Sequence, residues 1–243
     1  MTFDQDISAA ASMAAFLAAL ATFLTVWQIA KQRKATYRPD IVVMRARVIT
    51  TGRLSDESIE PLLKWKRSSD EPDREGVLGN DYPMLLVNIG MGGATSVSTK
   101  WEFPMESFIS ETRRIARAQG FPEEIEFKSN NGVVSHVRPQ ITSLWRNQKN
   151  SYFDYLLPAS IDHEPVRIDL PSAYILAVAA YMSIFLKGMG DGDRESPQVP
   201  PLNLSLEFND IAGERHRTSY DIEFLWYLAT PHSFEAELVP KRV

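Results

Sequence analysis

The strongest constraint on this chain is a stretch of 24 uncharged residues, 7–30, that lies between Asp6 and Lys31. A helix of that length rises about 36 Å at 1.5 Å per residue, which covers a hydrocarbon core of roughly 30 Å. Because a buried globular helix seldom stays apolar on every face over so many turns, the stretch predicts a transmembrane helix. The residues expected to anchor it in lipid include Ile7, Phe16, Leu20, Phe23, Trp27 and Ala30.

Charges on either side of the stretch predict its orientation. Asp4 and Asp6 precede it, and no basic side chain does. Since segments rich in lysine and arginine stay in the cytoplasm, we expect a single-pass protein with its N-terminus outside and its C-terminal part inside. A cleaved signal peptide would begin with basic residues, so we do not expect cleavage. The cations that determine the predicted topology are Lys31, Arg33, Lys34 and Arg38.

Small residues recur at every fourth position of the stretch. Small side chains let helix backbones approach closely in lipid, so this spacing is compatible with a homo-oligomer formed through the helix. Alanine is also the best helix former, which explains the same spacing without association. The rows are Ser8 and Ser12; Ala10, Ala14 and Ala18; and Ala11, Ala15 and Ala19.

Composition restricts what the rest of the chain can be. Hydrophobic residues make up 44% of the 243 residues and charged residues 23%, which is typical of a folded domain. The net charge of −5 argues against a specific nucleic-acid partner, which would need a basic surface. The chain has no cysteine, so disulfides, thiolate nucleophiles and cysteine-based zinc sites are excluded.

Residues 38–243 are predicted to form one β-rich soluble domain that follows an N-terminal unit of residues 1–37. Pro39 suits the first position of a strand, and β-branched residues follow it. The polar region near residues 52–81 predicts a long surface loop or a flexible insertion. Residues 84–89 and 97–103 predict a pair of strands around a glycine-rich break, because the second segment alternates apolar and polar side chains.

The second half of the chain returns to the two-residue period of half-buried strands, in residues 166–170, 202–208 and 220–226. A turn at residues 210–213 separates the last two, which therefore predict a hairpin. Residues 107–119 predict an amphipathic helix that stops at the following glycine. Short strands without regular helix alternation favour an antiparallel sandwich or barrel.

Residues 173–186 are apolar on nearly every face. A helix of 14 to 16 residues would rise only about 21 to 24 Å, which is short of a bilayer core. We therefore expect a helix buried against the sheet, with a membrane-surface helix and a second membrane span as alternatives.

Three short motifs carry a resemblance to known proteins. They are Arg38-Pro39-Asp40-Ile41, the sequence LVNIGMGGA at 86–94 and the sequence FNDIAG at 208–213. With these motifs the chain resembles a broad group of uncharacterised bacterial single-pass membrane proteins. The resemblance implies a bacterial inner-membrane protein, mainly β, with an N-terminal transmembrane helix, an Ig-like β-sandwich and one or two added helices. Gly93 stands where that group usually has proline, and Phe208 replaces a tyrosine.

Candidate catalytic and metal-binding patterns in the sequence all have plainer interpretations. The glycines at 90–93 could cradle a phosphate, but such loops open a helix, whereas a β-patterned segment follows here. Residues 191–196 resemble the start of a calcium loop, yet Ser196 stands where the loop needs glycine. No G-x-S-x-G elbow is present, and no H-x-x-x-H spacing occurs among His136, His163, His216 and His232. We therefore expect no catalytic, cofactor or metal residues.

Two basic clusters could meet a partner. On a cytoplasmic domain, cations beside a bilayer are attracted to anionic lipid, and a tryptophan could insert at the headgroup level. The lipid hypothesis concerns the cluster at 64–67, whereas the cluster at 113–117 could meet an acidic partner or a phosphate. The alternative in each case is an ordinary solvated surface. The clusters are Lys64, Trp65, Lys66 and Arg67, and on the predicted helix Arg113, Arg114 and Arg117.

These observations favour a membrane-tethered, non-enzymatic binding module, whose partners would be the lipid bilayer and a protein or small ligand. An alternative is an oligomerising membrane effector or sensor, for example in a bacterial defence or stress system. A membrane-bound hydrolase is a third hypothesis, which would require convergent polar side chains in a cleft.

Overall fold

The computed structural model describes residues 3–51, 65–67, 82–121, 125–128, 131–136, 140–145, 151–188, 197–230 and 233–243. Of the described residues, 44% lie in strands, and the same residues include three helices. The described helices are α1 (Phe3–Thr36), α2 (Met105–Ala118) and α3 (Ser172–Gly188). The strands are β1 (Ile41–Val43), β2 (Ala46–Thr51), β3 (Trp65–Lys66), β4 (Pro83–Asn88), β5 (Ala94–Glu102), β6 (Ile125–Lys128), β7 (Val133–His136), β8 (Ile141–Leu144), β9 (Tyr152–Leu156), β10 (Val166–Asp169), β11 (Leu202–Asp210), β12 (Arg215–Thr230) and β13 (Ser233–Arg242).

Helix α1 confirms the predicted N-terminal apolar helix. Among the described residues it alone is long and apolar enough to cross a membrane, over Ala11–Arg33 with a mean hydropathy of 1.8. It is longer than the uncharged stretch, because it continues through the basic residues to Thr36. Its hydroxyl groups donate to carbonyls one turn earlier, as in Thr22 to Ala18 and Thr25 to Ala21, at 2.8 Å. These polar groups are therefore satisfied without water.

Antiparallel sheets form the rest of the fold, in agreement with the predicted sandwich. A three-stranded sheet has the order β1-β4-β10, and a seven-stranded sheet has the order β3-β2-β13-β12-β11-β5-β9. Residues of both sheets, α2 and α3 share one hydrophobic core. A third sheet, β6-β7-β8, lies beside the two shorter helices, since β7 and β8 contact α3 and β6 contacts α2.

The predicted pairing of the strands around the glycine-rich break is wrong. Strand β4 pairs with β1 and β10, whereas β5 pairs with β11 and β9, so the two belong to different sheets. The glycine turn therefore carries the chain from one sheet to the other. The predicted hairpin is confirmed, because β11 pairs with β12 from Leu202 opposite Ile222 to Asn209 opposite Arg215.

Strand β5 contains a bulge that the sequence pattern does not predict. Its pairing with β11 shifts between Glu207 and Asn209, so that Phe208 lies opposite two residues, Ser96 and Val97. Ser96 has a positive φ of 53°, a backbone conformation that residues with a Cβ rarely adopt. The extra residue keeps both Ala94 and Val97 in the core.

Helix α3 is buried, as expected for the apolar segment at 173–186. Every side chain from residue 173 to residue 184 is buried in the chain's own core. Tyr174 packs edge-on against Phe103, with ring centroids 5.0 Å apart, and Phe185 packs against Trp226 on β12. Helix α2 agrees with the prediction for 107–119, and Gly120 follows it with a positive φ of 76°.

Trp65 corrects the sequence interpretation of its surroundings. The polar segment at 52–81 was expected to be a surface loop, yet Trp65 and Lys66 pair with β2 at the edge of the large sheet. The Trp65 side chain is 7% exposed and contacts the rings of Tyr82, Tyr174 and Phe234. Neither a solvated tryptophan nor one inserted into lipid headgroups is compatible with this burial. Lys64 and most of the predicted loop lie outside the described residues.

Candidate functional site at the helix-proximal end of the sandwich

The three sequence motifs meet at the end of the sandwich that receives the chain from α1, which we call the helix-proximal end. Strand β1 starts there and β4 ends there, since Ile41 lies opposite Asn88. Strand β5 starts there and β11 ends there, since Ala94 lies opposite Asp210. Both sheets therefore present their connecting turns to the segment that follows α1.

The glycine turn at 90–93 packs directly on the backbone after α1. A Cβ on Gly90 would lie 2.4 Å from the carbonyl oxygen of Arg38, and one on Gly92 would lie 1.7 Å from that of Tyr37. Only glycine allows backbones to approach so closely. Gly93 has no such constraint, because a Cβ there would meet only the Ile211 side chain at an ordinary 3.7 Å. The turn is thus a backbone joint rather than a phosphate loop, since β5 and not a helix follows it.

Asn88 is buried at the centre of this joint and uses both ends of its amide. Its Oδ1 accepts hydrogen bonds from the backbone amides of Asp40 at 3.1 Å and Gly90 at 3.0 Å. Its Nδ2 donates to the carbonyls of Gly92 at 2.7 Å and Leu156 at 3.2 Å. A single side chain therefore connects the segment after α1, the glycine turn and the end of β9.

Two further contacts hold the start of β1. The carboxylate of Asp40 pairs with Arg242 at 2.8 Å, and the hydroxyl of Tyr220 donates to the carbonyl of Ile41 at 2.6 Å. Burial raises the pKa of Tyr220, so this hydroxyl keeps its proton over the physiological range. The last strand of the fold is thereby tied to the first.

Asp210 organises the turn of the β11–β12 hairpin. Its Oδ1 accepts from the amides of Ala212 and Glu214, both at 2.9 Å, and its Oδ2 lies 3.1 Å from Nε2 of His216. Burial opposes ionisation of the carboxyl group, but the hydrogen bonds from His216 and from the two amides outweigh it. The pKa of Asp210 is therefore held below its usual value.

Asp210, Glu214 and His216 form a cluster that was not predicted from the sequence. Their ligand atoms lie within 4.8 Å of one another, a spacing that could hold a metal ion. However, Asp210 already caps the turn with Oδ1 and meets His216 with Oδ2, so its geometry is that of a hairpin cap. The register that brings His216 opposite Phe208 was available from the predicted hairpin and could have revealed the cluster.

Of the first possible interaction patch, Lys64, Trp65, Lys66 and Arg67, the structure describes residues 65–67. Trp65 is buried, and the guanidinium of Arg67 donates to the carbonyl of Pro83 and lies 5.9 Å from the centroid of the Tyr82 ring. Lys66 is half-buried. Residues 65–67 are therefore directed onto their own domain.

The second basic cluster lies on α2, as predicted, but it is partly neutralised. Arg114 makes two hydrogen bonds with the carboxylate of Glu111, at 2.6 and 2.7 Å. Arg114 and Arg117 are exposed, and Arg113 is half-buried. An exposed pair of this kind contributes little to stability, and the arrangement is that of a solvated helix face.

An open groove of about 530 Å³ lies on the part of β5, β11 and β12 away from the helix-proximal end. Lys100 and Glu102 form an ion pair of 2.5 Å at its edge, and Asn203 donates to Asp221 at 3.0 Å. The groove is lined by Lys100, Glu102, Phe103, Pro104, Pro200, Pro201, Asn203 and Asp221.

No family model, curated protein or solved structure matches this chain.

The other candidate residues from the sequence are described only in part. His136 is buried and His163 is exposed on the loop after β9. His232 and the calcium-like segment at 191–196 lie outside the described residues. Within the described residues, the structure therefore brings together the three sequence motifs.

Proposed function

We propose that the chain is a membrane-tethered, non-enzymatic binding module whose sandwich lies at the cytoplasmic face of a bilayer. The observation that carries this proposal is the exposure of α1. Phe16 and Phe23 are 67% and 66% exposed, and Trp27 is 54% exposed, so no other part of the described chain covers the apolar helix. Lipid is the environment in which such a helix is stable.

Charge at the end of α1 supports the proposed orientation. Lys31 lies over the Trp27 ring at 5.4 Å, an arrangement suited to the membrane interface, and Arg33 and Arg38 are exposed beyond it. The side chain of Lys34 lies outside the described residues. Cations at this end and carboxylates at the other favour an inward-facing sandwich.

The open groove is the proposed binding surface of the module. Its lining combines the apolar side chains of Phe103 and three prolines with positively and negatively charged groups. This combination suits a polypeptide segment or a small polar ligand. Ala94 and Glu102 are the ends of β5, so the groove lies about 27 Å along that strand from the helix-proximal end, at 3.4 Å per residue. A partner in the cytoplasm could therefore reach it above the lipid surface.

Removal of the anchor tests the tether. Because Tyr37 contacts the glycine turn, the deletion should end at residue 36, and the remaining chain should be soluble and unfold cooperatively. An aggregated product would count against an independent module.

Charge reversal tests the groove. A photo-crosslinking amino acid at Pro201, in cells, should give a discrete adduct that Asp221→Lys abolishes. The same amino acid at Tyr152, an exposed position on the edge strand β9, is the control. Identical adducts at both positions, or an adduct unaffected by Asp221→Lys, would exclude the groove as the binding surface.

A second candidate function is an oligomerising membrane effector. The row of Ala11, Ala15 and Ala19 is exposed along α1 and would allow close packing with a second copy. Replacing all three with leucine should abolish assembly, whereas Leu17→Ile with Leu24→Ile, on the opposite face, should not. An unchanged oligomeric state in mild detergent would remove this candidate.

A further inference from the structure

Four large apolar side chains are exposed at the helix-proximal end. Ile89 and Met91 flank Gly90 and are 59% and 62% exposed, and Ile161 and Ile211 are each 69% exposed. We call these four residues the apolar rim. A folded domain in water gains nothing from exposing such side chains together, so a cluster of them indicates a surface that something covers.

Backbone contacts bring the rim residues to one place. The amide of Ile89 donates to the carbonyl of Asp40, and the Ile211 side chain lies against Gly93. The loop that carries Ile161 is fixed to the same turn, since the amide of Ala159 donates to the carbonyl of Asn88 at 2.8 Å. All four side chains therefore surround the joint at which α1 enters the sandwich.

The length of chain between the apolar stretch and this joint limits how far the rim can be from lipid. Helix α1 continues for six residues after Ala30, a rise of about 9 Å. The headgroup layer on one side of a bilayer is roughly 5 to 8 Å thick. Tyr37 therefore lies within a few ångströms of the outer boundary of the headgroups, and the glycine turn packs on its carbonyl.

We propose that the apolar rim docks into the headgroup layer of the same bilayer that α1 crosses. This inference rests on the proposed tether, and it adds a second, peripheral membrane contact that fixes the orientation of the sandwich. Asn88 and the Asp40–Arg242 pair leave only residues 37–39 between the helix and the bonded fold, so the domain cannot reorient freely. The groove then faces away from the membrane.

Charge around the rim indicates that docking is apolar rather than electrostatic. Asp162 and Glu164 follow Ile161, and both are exposed, while Arg38 is exposed on the other side of the joint. Mixed signs give little net attraction to anionic lipid. Docking should therefore depend weakly on salt and on the anionic lipid content.

The absence of cysteine from the chain makes a direct test possible, because one introduced thiol can be labelled specifically. Full-length Met91→Cys and Ile211→Cys proteins, each carrying an environment-sensitive fluorophore, are reconstituted into vesicles whose lipids bear headgroup spin labels. Leu225→Cys and Tyr227→Cys are matched controls, since both positions are exposed on the far part of β12. Flotation of the vesicles is measured in the same samples.

Labels at positions 91 and 211 should be blue-shifted and quenched several-fold more strongly than labels at 225 and 227, in both neutral and anionic vesicles. Ile89→Glu with Ile161→Glu should weaken quenching at 91 while the protein still floats. If the protein floats with the vesicles but the labels at 91 and 227 are quenched equally, rim docking is overturned while the tether stands. A blue shift without lipid quenching would mean that a protein surface covers the rim, which also overturns it. Protein that does not float would refute the tether itself.

Discussion

The side-chain oxygen of Asn88 accepts a hydrogen bond from the backbone amide of Asp40 at 3.1 Å, which ties the first residues after α1 to the end of β4. The same side chain also bonds Gly90, Gly92 and Leu156. These bonds hold the backbone from residue 40 onward, so only residues 37–39 separate α1 from the bonded fold. The joint therefore couples the anchor to the fold through a connection of three residues.

Asn88→Ala should lower the free energy of unfolding of the full-length protein in mild detergent by about 2 to 4 kcal/mol, since it leaves several buried backbone groups without partners. Asn203→Ala is a suitable control, because Asn203 is half-buried and makes its 3.0 Å bond to a side chain, Asp221. Equal losses for the two variants, measured by denaturant unfolding, would contradict the role of Asn88.

Trp65→Ala should lower the free energy of unfolding by about 3 to 5 kcal/mol, because it removes a large aromatic side chain from the core. Tyr152→Ala, which truncates an aromatic ring that is 61% exposed, should change it by less than about 0.5 kcal/mol. A stable Trp65→Ala protein with weakened membrane contact would instead restore the lipid-facing interpretation of this segment.

Ser96→Gly should raise the free energy of unfolding by on the order of 1 kcal/mol, since glycine adopts the positive φ of the bulge without strain. Ser98→Gly, two residues later in the regular part of β5, should lower it by about 0.5 to 1 kcal/mol. The two variants carry the same substitution and differ only in position. If thermal unfolding gave changes in the free energy of unfolding of the same sign for both, the bulge would be excluded.

The stability contributed by Asp210 should depend on pH. Its pKa in the folded protein lies below the usual value, so the ionised carboxylate stabilises the fold above about pH 4, and this contribution is lost as the pH falls through the folded pKa. Asp210→Asn can still accept the two backbone amides but cannot carry the charge. The difference in unfolding free energy between the two proteins should be largest near neutral pH and shrink in acid. A difference that does not vary with pH would contradict the ionised cap.

Local patterns were sufficient to predict the helices and the β11–β12 hairpin. The uncharged stretch, the apolar segment at 173–186 and the two-residue period of β11 each report the environment of a single element, so each was predicted from its own residues. The pairing of β4 and β5 was predicted wrongly, because a glycine turn looks the same whether it closes a hairpin or joins two sheets.

Tertiary contacts determined the features that the sequence did not reveal. Trp65 is flanked in sequence by Lys64 and Lys66, but its burial comes from rings on β12, β13 and α3, which are distant along the chain. The apolar rim draws its residues from three separate turns, so no local window contains it. The motif residues 38–41, 86–94 and 208–213 are far apart in sequence, so their convergence on the segment after α1 became visible only in three dimensions.

The most direct test of the tether is the fate of a C-terminal epitope placed after Val243 in intact bacterial spheroplasts. The full-length chain should sediment with the membranes without detergent, and the epitope should resist external protease until the membrane is opened. A chain found in the aqueous fraction, or an epitope cleaved in intact spheroplasts, would contradict a sandwich held at the inner face by α1.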